Sequence, residues 1–324
     1  MTWLQRLAAE LARLGVTDAN ESITFSRELE GFIGQAYEME FVELTAQNLF
    51  PADPAVDPAD TSYTTRRMRN AAQAHIVANW NDDSPGASYD ATAENNYPIR
   101  SVLNHYSLTI QDLRTARKLN RPLEAALAES CKRAHAEVFE QVCFFGDSTF
   151  GLKGLFSDSG VTGNSTTKVG VAWDNAAITA AIILADVERM FQKIVVDTKQ
   201  IHRPTTLAVP TTASQILAMP RDFGGGIYDS LENLILRTYK SRGLQEIVYA
   251  PKLDIGTTGA SGGAPRVVLF KKDPRVLAHQ TPVFFEQFPP QADGAKLRVE
   301  CHSRIGGVHV EEYKAITFMD GCTA

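Results

Sequence analysis

The stretch that decides the fold runs Asn120-Arg121-Pro122-Leu123-Glu124-Ala125-Ala126-Leu127-Ala128-Glu129-Ser130-Cys131-Lys132-Arg133-Ala134-His135-Ala136-Glu137-Val138-Phe139-Glu140-Gln141-Val142-Cys143. It passes directly into Phe144-Phe145-Gly146-Asp147 and then Gly151-Leu152-Lys153-Gly154-Leu155-Phe156. Leu123, Leu127, Cys131, Ala134, Val138 and Val142 recur at three- and four-residue spacing, which lays them along one stripe of a single long helix. Asn120 is placed to cap its start, Pro122 takes a first-turn position that needs no backbone donor, and Gly146 is placed to end it. At 1.5 Å per residue the run is roughly 35 Å long, the width of a small domain. Such a rod must pack lengthwise, with Leu123, Leu127, Val138 and Val142 as its expected core.

Composition limits what the rod can belong to. With 324 residues and 44% hydrophobic content, the chain can bury a large core as one elaborate domain or two subdomains. A net charge of -6 and a pI near 5.7 give no broad attraction to phosphate backbones or anionic membranes, which argues against intimate nucleic-acid binding. Cys131, Cys143, Cys301 and Cys322 stand at no zinc-ligand spacing and are read as reduced thiols of a cytosolic protein. No apolar run reaches membrane-spanning length, and the opening residues lack the apolar segment of a signal peptide.

Residues 3–14 place Trp3, Leu4, Leu7, Leu11 and Leu14 on one helical face, stopped by Gly15. The polar stretch 17–22 then leaves two readings, an arm or a helix docked on its own domain. Residues 23–50 alternate as extended chain, with Glu38, Glu40 and Glu43 as a solvated acidic row that has no histidine or nucleophile beside it for acid–base work. Pro51, Pro54 and Pro58 space a linker and mark a boundary. Beyond it, residues 61–79, the turn signal Asn81-Asp82-Asp83-Ser84-Pro85-Gly86-Ala87 and residues 97–102 spell a long hairpin with a polar tip. A hairpin with so little apolar surface either stays free or lies on a neighbouring molecule. Arg66, Arg67 and Arg69 are placed to pair there with a partner's acids, against the plainer reading of a solvated basic patch.

After the rod, residues 157–168 read as a loop, and Trp173-Asp174 as the start of a helix capped by Asp174, with Ile178, Ile182, Ala185, Val187, Met190, Phe191 and Ile194 inside. Strand 206–209, a helix through Ser214, Ile216 and Leu217, helix 230–239, strand 246–249, a glycine-rich loop at 256–264 and strand 266–270 make residues 173 to about 280 an α/β subdomain. From Thr281 the chain turns to strands at 283–285, 296–301, 307–313 and 316–318, and the last segment is expected to return to the rod, whose subdomain has too few strands.

Chemistry-bearing motifs are missing. No phosphate-binding loop of the G-x-x-x-x-G-K-[ST] or G-x-G-x-x-G type occurs, and Gly224-Gly225-Gly226 lacks the strand before it and the acid after it. Ser148 follows a helix rather than the strand a nucleophile elbow needs. Cys301 and His302 point to opposite faces of a strand, and His302 with His309 makes a poor metal site without a third ligand. We therefore expect no catalytic, cofactor or metal site.

The order of elements resembles that of the major capsid proteins of tailed bacteriophages, an α+β architecture with the fold named after phage Hong Kong 97. The likeness rests on the N-terminal arm, the long hairpin, the helix closing on Phe145-Gly146-Asp147 with Gly151-Leu152-Lys153-Gly154-Leu155, the α/β insertion, and the return through Arg304-Ile305-Gly306-Gly307-Val308 to Tyr313-Lys314-Ala315-Ile316. It implies an N-terminal arm (1–60), an extended β-hairpin loop (61–110), a peripheral domain with a long spine helix (111–172 and 281–324) and an α/β axial domain (173–280). It also implies inter-subunit contacts through the loop, which we assign to Arg66, Arg67, Arg69, Asp82 and Asp83. Such proteins assemble in the host cytoplasm as hexamers and pentamers that tile an icosahedral virion shell around DNA, without sequence-specific binding. Only about twenty residues precede Ile23, so a separate scaffolding protein, or prior removal of a scaffolding segment, is implied, together with a portal and decoration proteins. Crosslinking between subunits stays open. The competing readings are a bacterial nanocompartment shell enclosing an enzyme, and a cytosolic α/β hydrolase with an unrecognised site.

Overall fold

The computed structural model describes residues 41–324 apart from 73, 77–86, 120–122, 176–177, 223–227, 255–263, 295 and 323–324. The chain divides into Met1–Val42 and Glu43–Ala324. Of the first unit only Phe41 and Val42 are described, and the fold below is that of the second. The expected opening helix, Glu38 and Glu40, the hairpin tip with Asp82 and Asp83, the Asn120 cap and nearly all of both glycine-rich loops lie outside the described residues, as do the side chains of Arg69 and Leu123.

In chain order the elements are α1 (Ala46–Leu49), β1 (Ser62–Ala72), β2 (Ala87–Pro98), β3 (Arg100–Thr109), α2 (Ile110–Leu119), α3 (Leu123–Phe145) and α4 (Ser159–Thr162). Then come α5 (Ala180–Asp197), β4 (Thr206–Val209), α6 (Ser214–Ala218), β5 (Pro220–Asp222), β6 (Tyr228–Ser230), α7 (Leu231–Tyr239), β7 (Glu246–Tyr249) and β8 (Arg266–Phe270). The chain closes with β9 (Leu277–His279), β10 (Val283–Gln287), β11 (Gln291–Asp293), β12 (Lys296–Ile305), β13 (Val308–Val310) and β14 (Ile316–Asp320).

The rod is α3, and the chain that leaves it turns back to finish it. A helix leaves its last carbonyls without intrahelical donors. Here Gly146 N–H closes the last helical bond to Val142 O, and the returning chain supplies the rest, Leu155 N–H donating to Cys143 O and Phe156 N–H to Phe144 O, each at 2.9 Å. Gly146 sits in the left-handed region at φ +71, as a residue just past a helix end often does. Gly154 lies so close that a Cβ there would overlap Gly146 N and Val142 O. Asp147 and Leu152 exchange both backbone hydrogen bonds, at 2.8 and 2.9 Å, and close the intervening turn.

Beside the first half of α3 lies a four-stranded sheet in which β12 pairs antiparallel with β3, β10 and β11. Leu127 and Ala128 of the helix pack with Cys131 against Tyr106, Leu108, Val299 and Cys301. Around its last turns, Phe139, Val142, Cys143 and Phe144 join α1, β13 and one face of a second sheet, of order β14-β8-β4-β7. Strand alternation divides that second sheet between two cores. Ala208, Val268, Phe270, Ile316 and Phe318 face the α3 core. Leu207, Val209, Val267, Leu269 and Met319 face α5 and α7, where Ile183, Val187, Met190, Phe191, Ile194, Leu231, Ile235 and Tyr239 are buried.

Several expectations change. Residues 46–49 are a helical turn rather than extended chain, with Thr45 N–H held at 3.0 Å by the buried Glu140 carboxylate. The proline-spaced linker is docked: His279 N–H donates to Pro51 O and Asp53 N–H to His279 O. Residue 173 does not start a helix. Trp173 is buried, its indole N–H donating at 2.8 Å to the buried Asp186 of α5, and that helix begins at Ala180 after Thr179. β3 belongs to the sheet of β12, so the hairpin proper ends at Pro98. β14 brings Ile316 and Phe318 to the α3 core but pairs with β8 rather than with the sheet of β12, and it is buried on both sides.

The α3 stripe is also corrected. Val142 and Cys131 are buried and Leu127 is half-buried, but Val138 is 40% exposed, while His135 and Phe139 are buried. The helix meets two different cores in succession, so its buried face swings round the axis by on the order of 100° between Leu127–Cys131 and Phe139–Cys143. A straight stripe through Val138 misses that swing. His135 is tolerated inside because its Nδ1 lies 2.7 Å from Ser303 Oγ. For the unassembled subunit, Val138→Asp should therefore change stability by no more than about 0.5 kcal/mol. Phe139→Asp should cost several kcal/mol by placing an unpaired carboxylate in the core. Thermal melts that move equally for both would refute the swung face.

Candidate assembly surfaces

Strands β1 and β2 pair antiparallel from Ser62↔Pro98 to Ala72↔Ala87, with a register shift between Arg67 and Met68, and among the described residues they pair with no other strand. The base of this hairpin is fixed to the body. Tyr63 and Tyr97, directly opposite in the register, stack at 5.1 Å and 16°. His309 of β13 packs edge-on against Tyr63, with ring centres 5.7 Å apart, and Lys153 Nζ lies 5.2 Å from the Tyr97 ring centre. Lys153 O accepts the Val308 N–H at 2.8 Å, so the segment that finishes α3 also seats the hairpin base. Above the tyrosines, Arg67 reaches Glu312 at 3.7 Å and Glu311 at 4.0 Å.

Of the residues expected to meet a neighbour, Arg67 is thus engaged within its own subunit. Arg66 pairs across the hairpin with Glu94 at 3.3 Å, a solvated pair of small energetic weight. Sequence reasoning missed Tyr63, Tyr97, Lys153 and His309. Its one available signal was an aromatic residue near each end of the hairpin, which becomes a pair only once the register is known.

The base is a low-dielectric pocket. Burial raises the Tyr63 phenol, and raises that of Tyr97 to about 12. Burial holds His279 down to about 4 and also lowers His309, against the opposing pull of Glu311 and Asp53. His302 and His309 do not meet. His302 lies near Ser101 Oγ, at 3.2 Å, and Glu286, whereas His309 is at the tyrosines. Among the described residues, no group of three or more His, Cys, Asp or Glu side chains could hold a metal. All four cysteines are free and buried. No described helix is long and apolar enough to cross a membrane.

A long helix seated between two sheets, with a two-stranded hairpin seated at its base, is the arrangement to be placed among known proteins. A family model described as Major capsid protein matches residues 72–322, and the chain belongs to that family. Solved structures share the fold. The capsid of Myoviridae phage XM1 has a TM-score of 0.75 at 16% identity, over 91% of this chain and 97% of that one. Microbacterium phage Oxtober96 gives 0.61 at 11%, over 94% and 99%. A virus-like particle from Pyrococcus furiosus gives 0.52 at 12%, over 84% and 91%. No curated protein sequence matches. The protein is therefore a structural subunit that self-assembles into a phage icosahedral shell, and the nanocompartment reading is not favoured.

The core beside β9, where His279 packs edge-on against Phe139 of α3 with ring centres 5.0 Å apart, should respond to acid. His279 binds its proton less readily folded than unfolded, so its contribution is complete above about pH 6.5 and is lost as pH falls through about 4. The loss by pH 4.5 is roughly 2–3 kcal/mol. Urea midpoints of the unassembled subunit should fall between pH 7 and 4.5, and His279→Gln should fall less over the same interval. Equal losses in the two proteins would assign the acid sensitivity to other groups.

Proposed function

We propose that this capsid subunit builds its shell around phage DNA from hexamers and pentamers, with the β1–β2 hairpin lying across a neighbouring subunit. One observation carries this reading: among the described residues, two strands of 11 and 12 residues pair only with each other. Met68 is 49% exposed and Ile76 fully so. An isolated two-stranded ribbon is marginal in water, and a neighbour's surface supplies the missing third layer. Arg69, Asp82 and Asp83 are the hairpin residues we assign to that contact, with Arg66 able to exchange its weak partner for a neighbour's acid. Arg67 serves the hairpin base instead.

In this reading α3 is the spine of a peripheral domain formed by residues 111–172 with β12 and β13. The sheet β14-β8-β4-β7 and its two helices form the axial domain, whose glycine-rich loops at 223–227 and 256–264 gather near the local five- and six-fold axes. Assembly takes place in the host cytoplasm, and portal and decoration proteins complete the particle. The role is structural, with no catalytic step.

Replacing residues 70–96 by a short Gly-Ser link keeps Tyr63 and Tyr97 while removing the reach of the hairpin. The variant should retain native circular dichroism and sediment as small species, while the parent forms shells. Shells of normal size from the variant would sink the hairpin assignment. Electron micrographs of parent particles, scored for enclosed nucleic acid against enclosed protein, test the DNA reading separately.

A further inference from the structure

The chain is acidic overall, at -6, yet between Asp112 and Glu124 it carries Arg114, Arg117, Lys118 and Arg121 and no acid. Three of these stand on α2, where a step of about 100° per residue puts positions 114, 117 and 118 on one side of the helix. Its other side, Leu113 with Ala116, is half-buried, and Leu113 packs against the core beneath β3 and β12. Arg114 and Lys118 are exposed, and neither makes an ion pair among the described residues. The acid of this helix, Asp112, is already committed. Its carboxylate accepts from Thr109 N–H at 3.1 Å and Thr109 Oγ1 at 2.5 Å, closing the N-terminal cap. Glu124, the next acid, belongs to the first turn of α3. Elsewhere several cations are matched within the subunit, as in Arg133–Glu137 at 2.9 Å, Arg242–Glu188 at 2.6 Å and Lys272–Glu246 at 3.0 Å, while others such as Lys132, Lys199 and Lys314 are exposed without an ion pair among the described residues but do not stand in a run of cations.

The composition of this face chooses among partners. A protein interface needs apolar or aromatic groups at its centre. Here the exposed described residues are Arg114 and Lys118 with Gln111 and Thr115, and the one exposed large apolar side chain among the described residues of the helix, Ile110, stands at its start. Arginine, lysine, glutamine and threonine are the side chains that contact phosphate oxygens. We propose that α2 is a phosphate-contacting face, through which the shell wall touches the backbone of enclosed duplex DNA. This rests on the reading of the shell as a DNA container. The remaining acidic surface keeps the wall from gripping its content broadly, and α2 makes a local, sequence-independent and salt-sensitive contact.

The test uses the full-length unassembled chain and a fluorescein-labelled 25-base-pair duplex, followed by anisotropy from 50 to 200 mM NaCl. With three phosphates neutralised, affinity should fall about forty-fold over that range. The triple variant R114Q/R117Q/K118Q should bind at least about tenfold more weakly at 50 mM and lose most of the salt slope. Its circular dichroism should match the parent's. R114Q and K118Q alone should each give part of the loss, which keeps the proposal testable if the triple variant misfolds. Absence of parent binding at 50 mM, or variants that bind like the parent, overturns it. Tighter binding of a polyglutamate peptide than of the duplex assigns the face to an acidic protein and overturns it too. Shell formation by the parent is scored separately by sedimentation, so a failed duplex titration leaves the shell reading standing.

Discussion

The fold depends on how the end of α3 is satisfied. The carbonyls of Cys143 and Phe144 in its last turn would be buried without donors, at a cost of about 1–3 kcal/mol each. They are instead bonded by Leu155 and Phe156 of the returning chain. That return is possible only because the backbone at Gly154 comes within contact distance of the helix end. The same returning segment then does two further things. Lys153 offers its carbonyl to Val308 and its ammonium to Tyr97, and Phe156 forms one wall of the slot that holds Arg266.

Arg266 shows how the joint between the rod and the second sheet tolerates a charge. It is 1% exposed, yet its guanidinium lies between the rings of Phe156 and Phe318 and pairs with Asp320 through two hydrogen bonds of 2.5 and 2.8 Å. Removing Asp320 would leave a buried cation uncompensated, so the pair locks the start of β8 to β14 and to the exit of α3. The second sheet is thereby a middle layer, apolar on both faces, that passes mechanical continuity from α3 to α5 and α7. The two regions flanking it are less separable than a linear division of the chain suggests.

The hairpin contrasts with this interior. Its base is seated by ring stacking, a cation over an aromatic face and an ion pair, while the described strands beyond Met68 have no third strand beside them. Rigid at the root and incomplete along its length, it suits a subunit whose structure is finished by copies of itself. Most of the free energy of the subunit lies in the buried layers, and the assembly contacts are left to segments that the monomer does not bury.

Much of this was legible in the residues. Periodicity located α3, α7, β4, β7, β8 and β12, since each carries the apolar repeat of its own element type. Gly146 and Gly154 marked the turn at the end of the rod, and the Pro-Gly tip with sparse apolar content marked a hairpin. The order of these parts was enough to indicate a capsid subunit. Tertiary structure alone decided what depends on contacts distant in sequence. The swing of the buried face of α3, which exposes Val138 and buries Phe139, follows from two cores meeting one helix. The placement of β14 beside β8 follows from the need of a strand apolar on both faces to be covered twice. The pairing of Tyr63 with Tyr97, and the capture of Arg67 by Glu311 and Glu312, follow from a register that no local pattern encodes. A sequence pattern reports which faces of an element are apolar, whereas the partner each face meets is set by packing between segments far apart in the chain.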